Sequence, residues 1–421
     1  MKTWIVAAVS LVAGTGMSGA FADQPFRTDV NPALPYYQAL LVAPELSQPD
    51  REYLFSRNWR GERLPDHFGQ LLDHYDNQFK LVRHAGHATV RCDWGVDISP
   101  GPATLLPHLG RVRAVTQTAR LRVMWSLQNE RESDAVEDLL AAFALARNAS
   151  RDGTLISALV QIAGENAVCA TVAENFYQFS PAAMTRLLEG LDAAPPRGAV
   201  AECLPLEKAL FLDWFLGRIA DLQQQFPGDD AKVMAGIQEI FATLLDVPGE
   251  GQPAQNRPDH WKEVLQASGG KSAGIVKLLR DEEPVYARAS RILSLPRAEY
   301  EAQIQQFTIE IEQSGNPFDA LTFPAIAKCH PKEFAVQAQL AMVRAAVAYK
   351  SSGEAGVRTV SDPLGAGPFR YQRFVYQGVD RGFKLESAYG GRDFPEVLIF
   401  VEKSGTPFQV NGKDAGQPLP K

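Results

Sequence analysis

The densest set of chemically capable side chains is His67, His74, His84 and His87, with Cys92, Asp93 and Asp97 close behind. Imidazoles, thiolates and carboxylates are zinc ligands, and a site needs three or four of them converging, with ring tautomers fixed by surrounding hydrogen bonds. His84 and His87, three residues apart, form a workable pair if their loop is helical. The spacing matches no metal motif, because HExxH and CxxC do not occur. His67 and His74, seven apart, equally suit one helix face turned to water or a polar groove. Asp93 and Asp97 have the chemistry for general acid and base work if they share a cleft. Trp94, between them, is either an aromatic platform for a ligand or a plug that locks the loop onto helices; large aromatics more often fill cores. No GxSxG elbow occurs, and Gly270-Lys271-Ser272 lacks the upstream glycine of a phosphate loop.

A second candidate sits in the most apolar stretch, Asp152 to Gln178, which carries Glu165 and Glu174 as its only charges after the opening aspartate. At 100° per residue, Leu155, Leu159, Ile162, Cys169, Ala173 and Phe176 form one broad apolar side, interrupted by Asn166 and edged by Glu165. Such a helix must be covered by others, so it is expected at the centre of an all-α layer. Buried polar groups need partners. Arg120 or Arg122, on the preceding helix, is the expected mate of Glu165. A structural pair is favoured over catalysis, although perturbed carboxylates in clefts also mark active sites.

The elements that must position these residues are mostly helices. Apolar residues recur at helical spacing from Pro65 to Val82, from Pro102 to Gln128 and from Ser133 to Asn148, with Ser47, Ser133 and Ser180 as capping candidates. Residues 83–104 are irregular, rich in glycine and proline, and are the first stretch that does more than connect. Further helices are expected at about 199–225, 230–245, 261–267, 273–279, 285–293, 298–313 and 332–350. Residues 247–260 read as an exposed loop or hinge. After Ser351, FRYQRFVYQ, FKLESAY and EVLIFVEK read as short antiparallel strands, the first two joined by GVDRG. A meander this small must pack on the helices. The expected organisation is a signal at 1–22, a helical domain at 23–250, a second helical subregion at 251–350 and a β-rich region at 351–421.

Lys2, the apolar run Trp4–Ala13 and the closing Ala20-Phe21-Ala22 have the pattern of a secretory signal cleaved after Ala22. Losing Lys2 takes the formal charge from −7 to −8, which supplies no basic footprint for nucleic acid. No later segment is expected to cross a membrane, since Glu165 interrupts the best candidate. The four cysteines, Cys92, Cys169, Cys203 and Cys329, allow three full pairings in an oxidising compartment, or four buried thiols.

Trp125 to Ala146 resembles the inner turn of a tetratricopeptide repeat, with no second copy at its 34-residue period. RCDWGVDISPGPATLLPHLGRVRAVTQTARLR, followed by ALARNASRDGTLISALVQIA, resembles an uncharacterised family of secreted, mostly helical bacterial proteins over residues 31–200. That resemblance implies secretion and helical architecture and no activity. SDPLGAGPFRYQRFVYQ with FKLESAYGG is similar to the C-terminal β-region of type II secretion pseudopilins, without their N-terminal helix.

These readings imply a mainly α fold of packed αα-hairpins with a small C-terminal antiparallel meander. The function expected is an exported, non-enzymatic scaffold or binding protein, periplasmic or secreted, with a protein or small-molecule partner in the cell envelope and no cofactor. The irregular segment and the β-tail are expected to border its groove, with Trp94, Asn166 and Arg120 as binding residues. The alternative is a hydrolase or metal-dependent enzyme, with zinc as its metal, using His67, His74, His84, His87, Asp93, Asp97 and Glu165.

Overall fold

The computed structural model describes residues 27–56, 59, 63–245, 260–390 and 395–403. The expected signal at 1–22 and nearly all of the expected 247–260 loop lie outside these residues. Five helices open the chain: α1 (Ala33–Leu41), α2 (Gln48–Phe55), α3 (Asp66–Asp73), α4 (Asp76–Gly86) and α5 (Pro107–Gln128). Next come α6 (Glu132–Ala149), α7 (Leu155–Glu174), α8 (Pro181–Ala193), α9 (Val200–Lys208), α10 (Trp214–Gln225) and α11 (Asp230–Leu245). The second half holds α12 (His260–Ala267), α13 (Ser272–Asp281), α14 (Glu283–Leu293), α15 (Arg297–Gln313), α16 (Pro317–Ser352) and α17 (Glu354–Val357). Strands β1 (Arg370–Tyr376), β2 (Val379–Gly390) and β3 (Pro395–Val401) form an antiparallel sheet in the order β1-β2-β3. The chain is therefore mainly α with a small meander, as its periodicity implied.

Local chemistry explains most boundaries. Ser47 and Ser180 accept hydrogen bonds from Asp50 N and Ala183 N at the starts of α2 and α8, which satisfies donors that a helix start leaves open. Thr154 does the same for Ser157 N at the start of α7. Ser133 does not cap α6; Arg131 occupies the cap position without a side-chain bond, and Ser133 Oγ instead accepts from Arg186. The β1–β2 turn is Gln377-Gly378, both at positive φ, a two-residue hairpin whose twist matches the strands. It is tighter than the five-residue GVDRG turn expected.

Two regular elements differ from their sequence expectation. The stretch read as one helix over 199–225 contains a π turn at Ala209–Asp213 between α9 and α10, one turn after Pro205 inside α9. Proline removes a ladder hydrogen bond and crowds the preceding turn, and a wider turn accommodates the disruption without ending the helix. The helix expected over 332–350 begins at Pro317 and runs 36 residues, through Pro324 and Pro331. Burial against two cores holds it together where local propensity favours a break.

Those two cores meet along α7 and α16. One gathers α1, α4, α5, α6, α8, the inner sheet face and residues Ala338–Val347 of α16. The other gathers α9–α15 and residues Phe318–Val336 of α16. Helix α7 contributes Val160 and Val168 to the first and Ile162 to the second, which makes it the central helix. Helix α7 is the one helix among the described residues whose length and composition would also suit a membrane span; here most of it is buried and its apolarity serves the core. The sheet packs through Phe383 and Phe400 on Phe176, at ring separations of 5.5 Å.

Helices α6 and α7 approach closely at Gly164, where a Cβ would lie 2.5 Å from the Ala146 Cβ. Gly164→Ala gains about 1 kcal/mol of helix propensity but incurs about 1–3 kcal/mol of overpacking. The variant is expected to unfold at lower denaturant concentration; a midpoint at or above that of the parent protein would contradict this tight crossing.

Candidate functional site

The sequence-selected residues do not form one site. His67 Nε2 lies 3.7 Å from Asp50, His74 Nδ1 lies 2.9 Å from the Gln70 carbonyl, His84 Nε2 lies 3.0 Å from the Arg27 carbonyl, and His87 Nε2 lies 3.5 Å from Glu137. Each histidine is thus engaged by a different neighbour. Among the described residues no three His, Cys, Asp or Glu side chains come together as a metal-holding group. Asp93 accepts from Gly95 N at 2.9 Å, and Asp97 accepts from Ser99 N at 2.9 Å; both shape the loop. Trp94 is 4% exposed. Its indole N–H donates to the Asn148 carbonyl at 2.7 Å, and its ring stacks on His108 at 4.4 Å and on Tyr36 at 5.7 Å. It plugs the loop onto α1, α5 and α6 and offers no platform.

Glu165 is fully buried and held by two arginines, but not by those expected. Arg147 Nε donates to Oε1 and Arg197 Nε to Oε2, each at 3.0 Å. Arg120 pairs with Glu174 at 3.2 Å, one end of α7 away, and Arg122 with Asp138 at 3.0 Å and Asp76 at 2.7 Å. Arg197 extends the network to Glu333 at 3.5 Å, and Glu333 lies 2.9 Å from His330 Nδ1. Asn166 is half-buried, and its Oδ1 has no hydrogen-bond partner among the described residues. All four cysteines are buried; burial pushes Cys92 and Cys203 up to about 12, which disfavours their thiolates at neutral pH.

A concave site lies elsewhere, where the Gly101–Thr104 turn, the start of α7, the π turn, α14 and α16 converge. It is a pocket of about 360 Å³, open to solvent. Its walls include Leu106, Leu155, Leu210, Phe211 and Phe241, with Glu207, Tyr286, Thr154 and Thr322 as polar points. Gly101 makes the close approach that forms one wall: it has φ +64°, and a Cβ there would lie 2.4 Å from the Trp214 ring. The π turn carries Leu210 and Phe211 into another. Thr104 and Ile156 stand at the mouth beside Leu105, which is 82% exposed.

The polar groups are unusual for so apolar a setting. Glu207 accepts the Leu155 N–H at 2.7 Å. Burial raises its carboxyl above the usual range, and Asp152 pushes the same way against the lowering effect of that bond. Tyr286 is 3% exposed, and its hydroxyl has only a weak interaction with Thr322, short of full hydrogen-bond geometry among the described residues; burial raises its pKa, with Glu282 pushing the same way against that contact. One turn earlier on the same face, Glu282 is fully buried with neither oxygen hydrogen-bonded. Burial and the nearby Asp319 push it up to about 8, which favours its neutral form near neutral pH. Orphaned buried polar groups beside an apolar concavity are what a ligand site looks like before it is filled. Sequence reasoning missed Glu207, Tyr286 and Glu282, which sit in charged or ordinary helical stretches far apart in the chain.

Because the folded value of Glu282 exceeds its ordinary 4.5, its contribution to stability is full below about pH 4.5 and is lost as pH rises toward 8. The loss is about 1.4 kcal/mol per pH unit in that window. Denaturation of Glu282→Gln between pH 5 and 8 is expected to show a variant that gains on the parent protein with each unit; parallel profiles would contradict the buried, neutral carboxyl.

Comparison of the chain with protein-family models, curated proteins and solved structures yields no match.

Proposed function

We propose that this chain is an exported, non-enzymatic binding protein that takes a small apolar molecule in the pocket between α7, α9, α14 and α16. The export half of the reading rests on the basic, apolar and small-residue pattern of residues 1–22. The binding half rests on one observation above others. The Tyr286 hydroxyl is buried in the wall of an open, aromatic-lined pocket with only Thr322 beside it and no hydrogen bond of full geometry among the described residues, and leaving such a group unsatisfied costs about 1–3 kcal/mol. A ligand with one polar end and an apolar body recovers that cost and covers the walls. The volume of about 360 Å³ lies at the small end of the range for small-molecule sites. The expected groove between the irregular segment and the β-tail is replaced in this reading: Gly101, Pro102 and Thr104 of that segment contribute a wall, while the sheet packs against α7 and α16.

A neutral fluorescent apolar probe, N-phenyl-1-naphthylamine, is expected to bind the full-length protein saturably with one-to-one stoichiometry. Ile156→Glu places a charge at the mouth, where Ile156 is 60% exposed, and an acid in the first turn of α7 favours the helix. Probe affinity in that variant is expected to fall by at least about fivefold, on the order of 1 kcal/mol of lost apolar contact. Equal affinity in the two proteins, or no saturable binding in the parent, would overturn the reading.

A further inference from the structure

The charges around the pocket are one-sided. Among the described residues of its lining, Glu207 is the one carboxylic acid, beside the phenol of Tyr286, and there is no lysine, arginine or histidine. Behind it lie more acids: Asp152 acts on Glu207, and Glu207 and Asp213 act on Tyr286, while Glu282 beside Tyr286 adds little charge near neutral pH. Lys208, next to Glu207 in the chain, is turned to Asp213 at 2.6 Å and Glu283 at 3.4 Å, so its charge is directed to those acids. The start of α7 is the one feature that would favour an anion. Three of the donors there are already used, however: Leu155 N–H goes to Glu207, Ser157 N–H to Thr154 Oγ1 and Thr154 N–H to Asp152, so an anion would have to displace the Glu207 carboxyl to reach more than one free donor.

From this arrangement we infer that the pocket selects a monocationic amphiphile, an alkyl or aryl body carrying one ammonium group, with the ammonium set between the Glu207 carboxylate and the Tyr286 hydroxyl. The inference rests on the pocket being a ligand site and names the class of ligand. Three chemical features converge on it. A carboxylate held in apolar surroundings is stabilised by an arriving cation more than by a neutral group. The Tyr286 oxygen, which Thr322 approaches without full hydrogen-bond geometry, accepts one ammonium hydrogen. Phe211, Phe241 and Tyr286 line the same space, and aromatic faces attract a desolvated ammonium. An anionic amphiphile meets the acids with no cation to pair it, and a neutral alcohol satisfies Tyr286 but leaves Glu207 without a counter-charge.

The test uses the full-length protein and three probes with one chain length, octylammonium, 1-octanol and octanoate, measured by calorimetry at pH 7. Octylammonium is expected to bind at least about tenfold more tightly than 1-octanol, the worth of one charge-assisted contact, and octanoate is expected not to bind. Glu207→Gln keeps an acceptor for the Leu155 N–H, and is expected to bring octylammonium down to the affinity of 1-octanol while the alcohol stays within about twofold. Tyr286→Phe is expected to weaken both. Octanol binding as tightly as octylammonium, octanoate binding best, or octylammonium unaffected by Glu207→Gln would each overturn the cationic assignment while leaving the pocket as a ligand site. Failure of all three probes to bind would overturn the pocket reading as well.

Discussion

The rest of the structure depends on a carboxylate buried away from solvent. Glu165 lies fully buried at the middle of α7, with Arg147 from α6 on one oxygen and Arg197 from the α8–α9 connection on the other. Arg147 also donates to the Pro195 carbonyl at 2.9 Å, and Glu333 of α16 accepts both Arg197 and the Val200 N–H. One acid thereby ties together α6, α7, α16 and the segment that crosses between the two cores. Replacing such a pair with apolar groups can be neutral, but removing one partner strands buried charge. The position and not the strength of this interaction matters: it fixes which turn of α7 faces which neighbour. Asp138 repeats the arrangement one helix away, fully buried between Arg83 at 2.7 Å and Arg122 at 3.0 Å, and so registers α4 and α5 against α6.

With α7 fixed in register, the pocket at its N-terminal end follows. Asp152 and Thr154 satisfy the first donors of the helix, and Asp152 also receives the Ser157 hydroxyl. His108 lies 3.4 Å from the same carboxylate beneath the Trp94 ring. These contacts seal one side of the helix end against α5. On the other side Glu207, carried by α9, accepts the Leu155 N–H. Pro205 and the π turn after it then let one continuous helical path deliver both Glu207 and the apolar Phe211 to the same cavity. Wider helical turns of this kind recur at functional sites because they re-aim side chains without breaking the helix.

Much of the fold was legible because it is written in local periodicity. The apolar face of α7, the α5–α6 hairpin and the three strands each announce themselves over a dozen or so neighbouring residues. So does the importance of the Glu165–Asn166 level, since polar groups in an apolar stretch demand partners. Which partners was not legible: Arg120 and Arg147 are equally plausible on spacing, and only the packed register sets Arg120 beside Glu174. The histidine cluster misleads for the opposite reason. Closeness in sequence gathered His67, His74, His84 and His87, but α3 and α4 point them at unrelated neighbours. Glu207, Glu282 and Tyr286 are brought together from distant helices, and Glu282 reads in sequence as one more solvated charge in a run of acids. Helix α16 escaped because proline is a local breaker, while the burial that overrides it comes from the whole molecule.

The central claim is that the Glu165 network holds the fold in register and that ligand chemistry belongs to the pocket. Chemical denaturation of Glu165→Gln, combined with probe binding to the folded protein, separates the two roles most directly. The expected result is a loss of about 3–5 kcal/mol of stability, the cost of stranding buried arginines, with the affinity of the folded protein for an apolar probe unchanged. Stability within about 1 kcal/mol of the parent protein, together with loss of binding, would place Glu165 in the site and contradict the account.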